Sequence, residues 1–286
     1  DDESLEKAVA NVEGLGFKVK LSKNIKAKKG FIAGSDQQRI DDLNWAFSDK
    51  NIKAVWCARG GYGCSRLLPK IDYKNIKNNP KIFIGFSDVT ALVNAFYQKT
   101  GLITFHGPVA ASNFTDFTKE QLMAVLVEGQ EPHEINLPQI ENQSIEPFSF
   151  TSKKTKGELA GGNLSLLAAM AGTDYAVDFK NKIAFIEDIG EKPYRIDRML
   201  TQLRQACQLD KACGIALGDF SGCDSKDENS LTLNETLTDR LQFKGMPVGY
   251  RFPFGHTNDH CTLPIGVKVE LDVENKRIKL LESAVV

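Results

Sequence analysis

One serine stands where a strand-like run meets a helix-like run. In KIFIGFSDVTALVNAF (81–96), apolar residues typical of a strand end at Gly85-Phe86, and a helical pattern begins at Asp88. Ser87 occupies the corner between them. A serine there is either a favoured helix cap or a nucleophile on a sharp turn, where the first N–H groups of the helix face a developing oxyanion. This stretch alone leaves both interpretations open.

A serine hydroxyl is a poor nucleophile unless a base removes its proton. Four histidines are available: His106, His133, His256 and His260. His256 lies in YRFPFGHTNDHC, a loop between predicted strands, where catalytic groups are often held. His106 ends a strand and is expected to be structural, and His133 is expected to be exposed. His256 is therefore the preferred candidate for the base.

The base needs an acidic partner, and one carboxylate stands in an unusual position. Glu187 closes the apolar strand KIAFIE (182–187). A carboxylate buried at the end of such a strand is costly unless it is paired. Asp188 and Glu191 follow directly and are rivals for the same role on position alone.

A glycine-rich loop follows another predicted strand. In CARGGYGCSRLL (57–68), three glycines expose backbone N–H groups, as in phosphate-binding loops and oxyanion holes. A plain turn is the alternative. The dinucleotide-binding fingerprint fails, because the third glycine is missing and the loop is not in the first βα unit. The loop is thus a candidate second source of oxyanion donors.

The elements that must position these residues alternate in type. The first half predicts a helix near residues 5–15, a helix from Asp36, a helix from Asp88 to Lys99, and strands at 17–21 (FKVKL), 53–58, 81–86 and 101–107. This alternation predicts an α/β fold with a mostly parallel sheet flanked by helices. Because such a domain usually begins with a strand, we expect that a leading strand is missing from the sequence as given.

The second half has a different order of predicted elements, which indicates a mixed α+β domain. Its predicted elements are a small-residue helix at 161–172, strands at 182–187 and 213–220, a helix at 194–207 after Pro193, and a hairpin at 267–282. Between the halves, 132–156 is rich in proline and polar residues and is interpreted as a linker. The expected domains are 1–131, carrying the nucleophile, and 157–286, carrying the glutamate and the histidine.

Composition excludes several functional classes. The chain has 286 residues and a formal net charge of −1, which favours neither nucleic acid nor anionic lipid as a partner. A lysine cluster at 18–29 lacks interleaved aromatic residues and is interpreted as a solvated edge. No run approaches the length of a membrane span. The six cysteines contain no Cys-x-x-Cys pair, so we expect a reduced, cytoplasmic location. A periplasmic location stays open, because a signal peptide would belong to the segment that we expect to be missing before residue 1.

Several long motifs resemble one family. GSDQQRIDDLNWAF, CARGGYG, FIGFSDVTAL, TFHGP, GGNLSLL, IEDIGEKPYRIDRML and GHTNDHCTLPIG occur in the order found in the LD-carboxypeptidases, serine peptidases of murein tetrapeptide recycling. The resemblance extends from about residue 4 to about residue 275. It departs at the start, where relatives open with a strand ending in a Pro-Ser segment.

The resemblance implies a site and a reaction. Ser87, Glu187 and His256 would form the catalytic triad, with an oxyanion hole from the N–H groups of Asp88 and Gly61. It also implies release of the terminal D-alanine from the L-centre of a diamino acid in a murein tetrapeptide, a homodimer, and no metal or organic cofactor. Recognition of the terminal carboxylate would require a cation, for which Arg59 and Arg195 are candidates.

Four alternatives are weighed against this one. A microcin-type immunity hydrolase acting on an acyl-adenylate analogue would carry a tryptophan of the second domain over the base, whereas Trp45 and Trp56 both precede the serine. A lipase-like hydrolase requires a small residue two positions after the nucleophilic serine, where this chain has Val89. A metal-dependent hydrolase would use the histidines and aspartate of HTNDH. A non-catalytic binding module is the fourth.

Overall fold

The computed structural model describes residues 2–128, 133–135 and 154–285. The helices within these ranges are α1 (Asp2–Gly14), α2 (Asp36–Ser48), α3 (Tyr73–Asn78), α4 (Thr90–Thr100), α5 (Asp116–Met123), α6 (Leu164–Met170), α7 (Pro193–Cys207) and α8 (Leu233–Leu241). The strands are β1 (Ala54–Trp56), β2 (Ile82–Gly85), β3 (Thr104–His106), β4 (Glu134–Ile135), β5 (Thr155–Asn163), β6 (Lys182–Ile189), β7 (Gly214–Ser221), β8 (Val248–Gly249), β9 (Leu263–Ile265), β10 (Lys268–Asp272) and β11 (Arg277–Leu280). No helix in these ranges combines the length and apolar character that crossing a membrane requires.

The first half of the chain contributes three strands to a four-stranded sheet in the order β1-β2-β3-β9, and β9 comes from near the end of the chain. Strands β1, β2 and β3 run parallel, as predicted, with α4 connecting β2 to β3. One face is covered by a cluster of fully buried phenylalanines, in which Phe96 of α4 lies 4.7 Å from Phe83 of β2 and 5.7 Å from Phe47 of α2, centroid to centroid. Burial of these large side chains fixes α4 against the sheet.

The second half builds a seven-stranded mixed sheet in the order β4-β11-β10-β5-β6-β7-β8. Strands β5 to β8 are parallel, whereas β10, β11 and β4 pair antiparallel. The predicted mixed α+β character and the hairpin near the end of the chain are both confirmed. Most of 132–156, the predicted linker, lies outside the described residues, and its described parts at 134–135 and 155–156 pair within this sheet.

The two sheets are joined by hydrogen bonds from α4 and by the last strand of the first sheet. The buried Asn94 side chain donates to the carbonyls of Gly161 in β5 and Thr90, both at 2.9 Å. The Thr90 hydroxyl accepts the N–H of Asn163 at 3.0 Å. Strand β9, near the end of the chain, pairs antiparallel with β3. The helix that follows Ser87 is therefore held directly against the second sheet.

One predicted strand is wrong. Residues 17–21 form no strand, although their alternation of apolar residues and lysines is typical of one. A strand needs a neighbour for its backbone hydrogen bonds. Here the segment lines, together with α1, α2 and β1, an apolar cavity of about 630 Å³, and no ladder joins it to β1.

One predicted helix begins later than expected. The helix predicted from residue 161 starts at Leu164, because Gly161 and Gly162 belong to β5 and pair with β6. Asn163 is the helix cap, and its side chain accepts the N–H of Leu166. The other helices and strands predicted from the sequence are present, with shifts of a few residues at their ends.

We predict that Asn94→Ala lowers the free energy of unfolding by about 1–3 kcal/mol, because it leaves the buried carbonyl of Gly161 without this donor. Urea denaturation measures this loss. Asn229→Ala, at an exposed position with local hydrogen bonds, is the control and should change stability by less than about 0.5 kcal/mol. Equal stability of the two variants would show that the Asn94 contacts do not hold the halves together.

Candidate active site

Ser87 forms the strained corner between β2 and α4. Its φ is 61°, a left-handed conformation that non-glycine residues adopt at a cost of about 1–3 kcal/mol. It opens a short 3-10 turn (Ser87–Val89) that leads into α4, and no side chain caps either the turn or the helix. The interpretation of Ser87 as a helix cap is therefore wrong. A half-buried serine on a strained strand-to-helix turn has the geometry of a nucleophile elbow.

The glycine loop that follows β1 packs against this corner. A Cβ atom at Gly60 would lie 3.0 Å from Ser87 Cβ and 3.2 Å from its Oγ, so only glycine allows this approach without displacement. The loop closes with a 3-10 turn at Cys64–Arg66. The glycine loop lies directly beside the Ser87 hydroxyl. This position favours a role as a source of oxyanion donors over the alternative of a plain turn.

Glu187 and His256 meet in the structure. His256 Nδ1 lies 2.8 Å from Glu187 Oε2, and the carboxylate is fully buried near the C-terminal end of β6. The approach depends on Gly255, whose φ is +100° and where a Cβ atom would lie 2.7 Å from Glu187 Oε2. The Phe86 ring, next to Ser87 in the chain, lies 5.0 Å from the imidazole, centroid to centroid. The carboxylate–imidazole pair is thus beside the serine corner.

Burial and charge pull the pKa of His256 in opposite directions. Burial lowers it, but the hydrogen bond and charge of Glu187 outweigh burial, so the pKa is raised above its usual 6.5. Burial also raises the pKa of Glu187, against the lowering effect of the imidazole. Since a carboxylate only accepts hydrogen bonds, Nδ1 carries the hydrogen, and Nε2 is left as the acceptor that a general base requires.

Asp188 and Glu191, the other candidates for the acid of the triad, are bonded to groups other than His256. Asp188 accepts hydrogen bonds from the side chain of Asn163 at 3.0 Å and the hydroxyl of Ser165 at 2.8 Å, which ties β6 to the start of α6. Glu191 forms an ion pair with Arg195 at 3.3 Å. Of these three acids, Glu187 is the one bonded to His256.

The other histidines differ from His256 in their surroundings. His106 and His260 are fully enclosed, and burial lowers the pKa of both imidazoles, that of His106 to about 3. Both rings pack against Phe86 and against each other. They are neutral packing groups beneath the corner. His133, expected to be exposed, is half-buried, with its ring 3.3 Å from the side chain of Gln121.

Two threonines at the start of α5, which the sequence did not single out, hold the histidine loop. Thr118 Oγ1 accepts the N–H of His260 at 3.0 Å and donates to the carbonyl of Asn258 at 3.3 Å. Thr115 Oγ1 donates to the Asp259 carboxylate at 2.7 Å. The Asp259 carboxylate and the His260 backbone thereby hold the loop in place. Within 2–128, 133–135 and 154–285 no three acidic, histidine or cysteine side chains converge as metal ligands.

The two candidate arginines have different surroundings. Arg59 is exposed at the start of the glycine loop, with its Nε 3.8 Å from the Cβ position of Gly61. Arg195, at the start of α7, is about half exposed and bonded to Glu191 and to the hydroxyl of Tyr194. Arg59 therefore belongs to the loop whose Gly60 packs against Ser87.

Comparison with known proteins places this chain in a family. Models of the LD-carboxypeptidase N-terminal and C-terminal domains match residues 1–107 and 156–271. A probable murein peptide carboxypeptidase of Bacillus subtilis is 39% identical, over 96% of this chain and 86% of the relative. The murein tetrapeptide carboxypeptidase of Pseudomonas aeruginosa is 32% identical, over 94% and 88%.

A solved structure shares the whole fold. MccF, a microcin C7 self-immunity protein, in complex with glutamyl sulfamoyl guanosine, matches with a TM-score of 0.91 and 29% identity, over 100% of this chain and 92% of that one. The fold and the sequence matches together define a hydrolase of the serine-type carboxypeptidase class. The chain belongs to the LD-carboxypeptidase family.

We predict that kcat/KM falls on the acid side with a midpoint above pH 6.5, because His256 must be neutral to act as a base and its pKa is raised. In Glu187→Gln the raising charge is lost while burial remains, so the midpoint should move to lower pH and the maximal rate should fall by about three to four orders of magnitude. A pH–rate profile of each protein measures both effects.

Glu191→Gln is the matched control for the pH profile, because this acid is bonded to Arg195 and not to His256. Its acid limb should coincide with that of the wild type. If Glu187→Gln kept the wild-type midpoint, or if Glu191→Gln moved it, Glu187 would not be the partner that sets the imidazole pKa.

Proposed function

We propose that this protein is an LD-carboxypeptidase that releases the terminal D-alanine from murein tetrapeptides through an acyl-enzyme on Ser87. The observation that carries the proposal is the buried Glu187–His256 hydrogen bond beside the strained Ser87 corner. Membership of the LD-carboxypeptidase family and the murein substrates named for two relatives support this choice of peptide.

In the proposed mechanism His256 acts first as a base and then as an acid. Its Nε2 takes the proton of Ser87 Oγ as the oxygen attacks the carbonyl of the L-centre. Glu187 holds the imidazole tautomer and stabilises the imidazolium. His256 then protonates the departing D-alanine nitrogen, and the C–N bond breaks to leave the acyl ester. A water molecule, deprotonated by His256, hydrolyses that ester and frees Ser87.

The oxyanion of the tetrahedral intermediate needs fixed donors. In the proposal these are the N–H of Asp88, at the first turn after the corner, and the N–H of Gly61 in the adjacent loop. Two such donors in a water-poor site stabilise the developing charge without reorganisation. Arg59, exposed at the edge of the same loop, is the favoured partner for the terminal carboxylate, and Arg195 is the second candidate.

A microcin-type immunity hydrolase is the second candidate function, because MccF shares the fold over the whole chain. The position of the tryptophans favours the murein peptide. The two tryptophans of this chain lie in the first half, where Trp45 packs with Lys20 and the indole N–H of Trp56 donates to the carbonyl of Pro108. If the second half of the chain stacked an aromatic side chain on a nucleoside, that side chain would have to be a residue other than tryptophan.

We further propose that the protein acts in the cytoplasm as a homodimer. All six cysteines are free, which agrees with a reducing compartment. The dimer rests on the family resemblance alone, and light scattering coupled to size-exclusion chromatography would test it.

We predict that the wild-type protein removes one alanine from L-Ala-D-Glu-diaminopimelate-D-Ala and that Ser87→Ala does not. Loss of a triad nucleophile lowers kcat by about 10⁶-fold. Alanine has a similar size and adopts the left-handed conformation at a similar cost, so the fold should stay intact. Mass spectrometry of the peptide measures the reaction, and circular dichroism confirms folding.

Two further substrates separate the candidate functions. The same peptide ending in L-alanine should stay intact, because its terminal bond has the wrong stereochemistry. A glutamyl sulfamoyl adenosine should also stay intact if the murein peptide is the substrate. Cleavage of the nucleotide analogue with no cleavage of the tetrapeptide would replace the proposed function by the immunity reaction.

We predict that EDTA leaves the activity unchanged, because the serine mechanism uses no metal ion. Loss of activity with EDTA and its return with zinc would instead assign the reaction to a metal centre, with the HTNDH loop as the first place to look.

A further inference from the structure

The carboxylate of Asp88 has a task that the triad does not explain. Its side chain is buried, with 4% exposed, although it follows the serine directly in the chain. Oδ2 accepts the backbone N–H of Cys64 at 2.8 Å, across 24 residues of sequence. A carboxylate that accepts a backbone N–H forms a charge-assisted bond, which is shorter and stronger than a neutral one. The bond joins the turn after Ser87 to the far end of the glycine loop.

The glycine loop is fastened at both of its ends. Before it, the carbonyls of Cys57 and Ala58 accept the N–H groups of Ala110 and Ala111, both at 3.0 Å. After it, Cys64 is held by Asp88, and Arg66 is bonded to Asp36 on α2. Residues 59–63 therefore lie between two hydrogen-bonded ends, and Gly60 packs against Ser87.

Of these anchors, Asp88 is the one that ties the loop to the nucleophile turn itself. The anchors before the loop lead to the segment after β3, and the ion pair of Arg66 leads to α2. Asp88 also lies in the 3-10 turn that leads into α4, at the N-terminal end of the helix, where the helix dipole stabilises a negative charge. The dipole of α4 thus stabilises the Asp88 carboxylate, and the carboxylate in turn holds the glycine loop through Cys64.

We propose that the Asp88 carboxylate is a positioning residue, which sets the spacing of the oxyanion donors by holding Cys64 and with it the glycine loop. This inference rests on the proposed function, in which the N–H groups of Asp88 and Gly61 bind the oxyanion. One residue then supplies one donor from its backbone and places the other through its side chain. Misplacement of one donor removes stabilisation that exists only in the transition state.

The test compares Asp88→Ala with Asp88→Asn. Alanine leaves Cys64 without its acceptor, so kcat for D-alanine release should fall about 10²- to 10³-fold, as when one oxyanion donor is removed, with KM nearly unchanged. Asparagine keeps a carbonyl oxygen that can accept the Cys64 N–H, so its kcat should stay within about tenfold of the wild type. An equal loss in both variants would overturn the proposal.

A second readout separates positioning from general destabilisation. A tripeptide aldehyde that matches the acyl half of the substrate forms a tetrahedral adduct with a serine and needs the oxyanion donors, whereas the tripeptide product does not. In Asp88→Ala the affinity for the aldehyde should fall by the same factor as kcat, and that for the product should not change. Equal losses of both affinities would contradict the proposal.

Asp272→Ala is the matched control. This carboxylate is as buried as Asp88 but is bonded to Asn275 and Lys154 in the C-terminal hairpin region. It should lower the melting temperature without changing the ratio of aldehyde to product affinity. If Asp88→Ala does not fold, Asp88→Glu takes its place: a longer side chain moves the acceptor by about one bond length, and a misplacement of about 1 Å can cost 10²-fold. Wild-type turnover in the folded variant would overturn the proposal.

The wild-type protein distinguishes the two possible failures. If it does not release D-alanine from the tetrapeptide, the proposed function fails. If it does, and Asp88→Ala releases D-alanine at a rate within threefold of the wild type, the proposed function stands and the positioning role of Asp88 is wrong.

Discussion

The hydrogen bond between Glu187 and His256 constrains the rest of the molecule. A fully buried carboxylate is costly unless a partner offsets the loss of water, and here that partner comes from a loop 69 residues further along the chain. The bond therefore requires the end of β6 to meet the loop between β8 and β9. Strand β9 fixes one end of that loop to the first sheet, and the threonines of α5 fix its middle. The imidazole is thus oriented by both halves of the chain.

The serine corner depends on the same junction. A left-handed serine persists only where the surrounding structure holds it. Helix α4, which begins just after the corner, is fixed to the first sheet by its phenylalanine contacts and to the second by Asn94 and Thr90. The contacts that hold the two sheets together therefore also hold the nucleophile candidate in its strained conformation. Stability and site geometry rest on one set of interactions.

The sequence predicts much of this because the relevant signals are local. Apolar runs and apolar alternation indicated most strands, and a carboxylate at the end of an apolar strand indicated Glu187. What it could not show are contacts made at long range. Residues 17–21 have the pattern of a strand but no neighbour to pair with. Strand β9 contains Pro264. A proline in a sequence argues against a central strand, but it is tolerated here because β9 lies at the edge of its sheet. Thr118 and Asn94 act on partners 142 and 67 residues away, and no local pattern marks them.

In the proposed mechanism Ser87 is a nucleophile, activated by the imidazole that Glu187 holds. The most direct measurement is covalent labelling with a fluorophosphonate, followed by peptide mapping. We expect one label, on Ser87. The tripeptide product should slow the labelling, and His256→Ala should slow it by more than 10³-fold. A label on another residue, or labelling of Ser87 at an unchanged rate without His256, would contradict it.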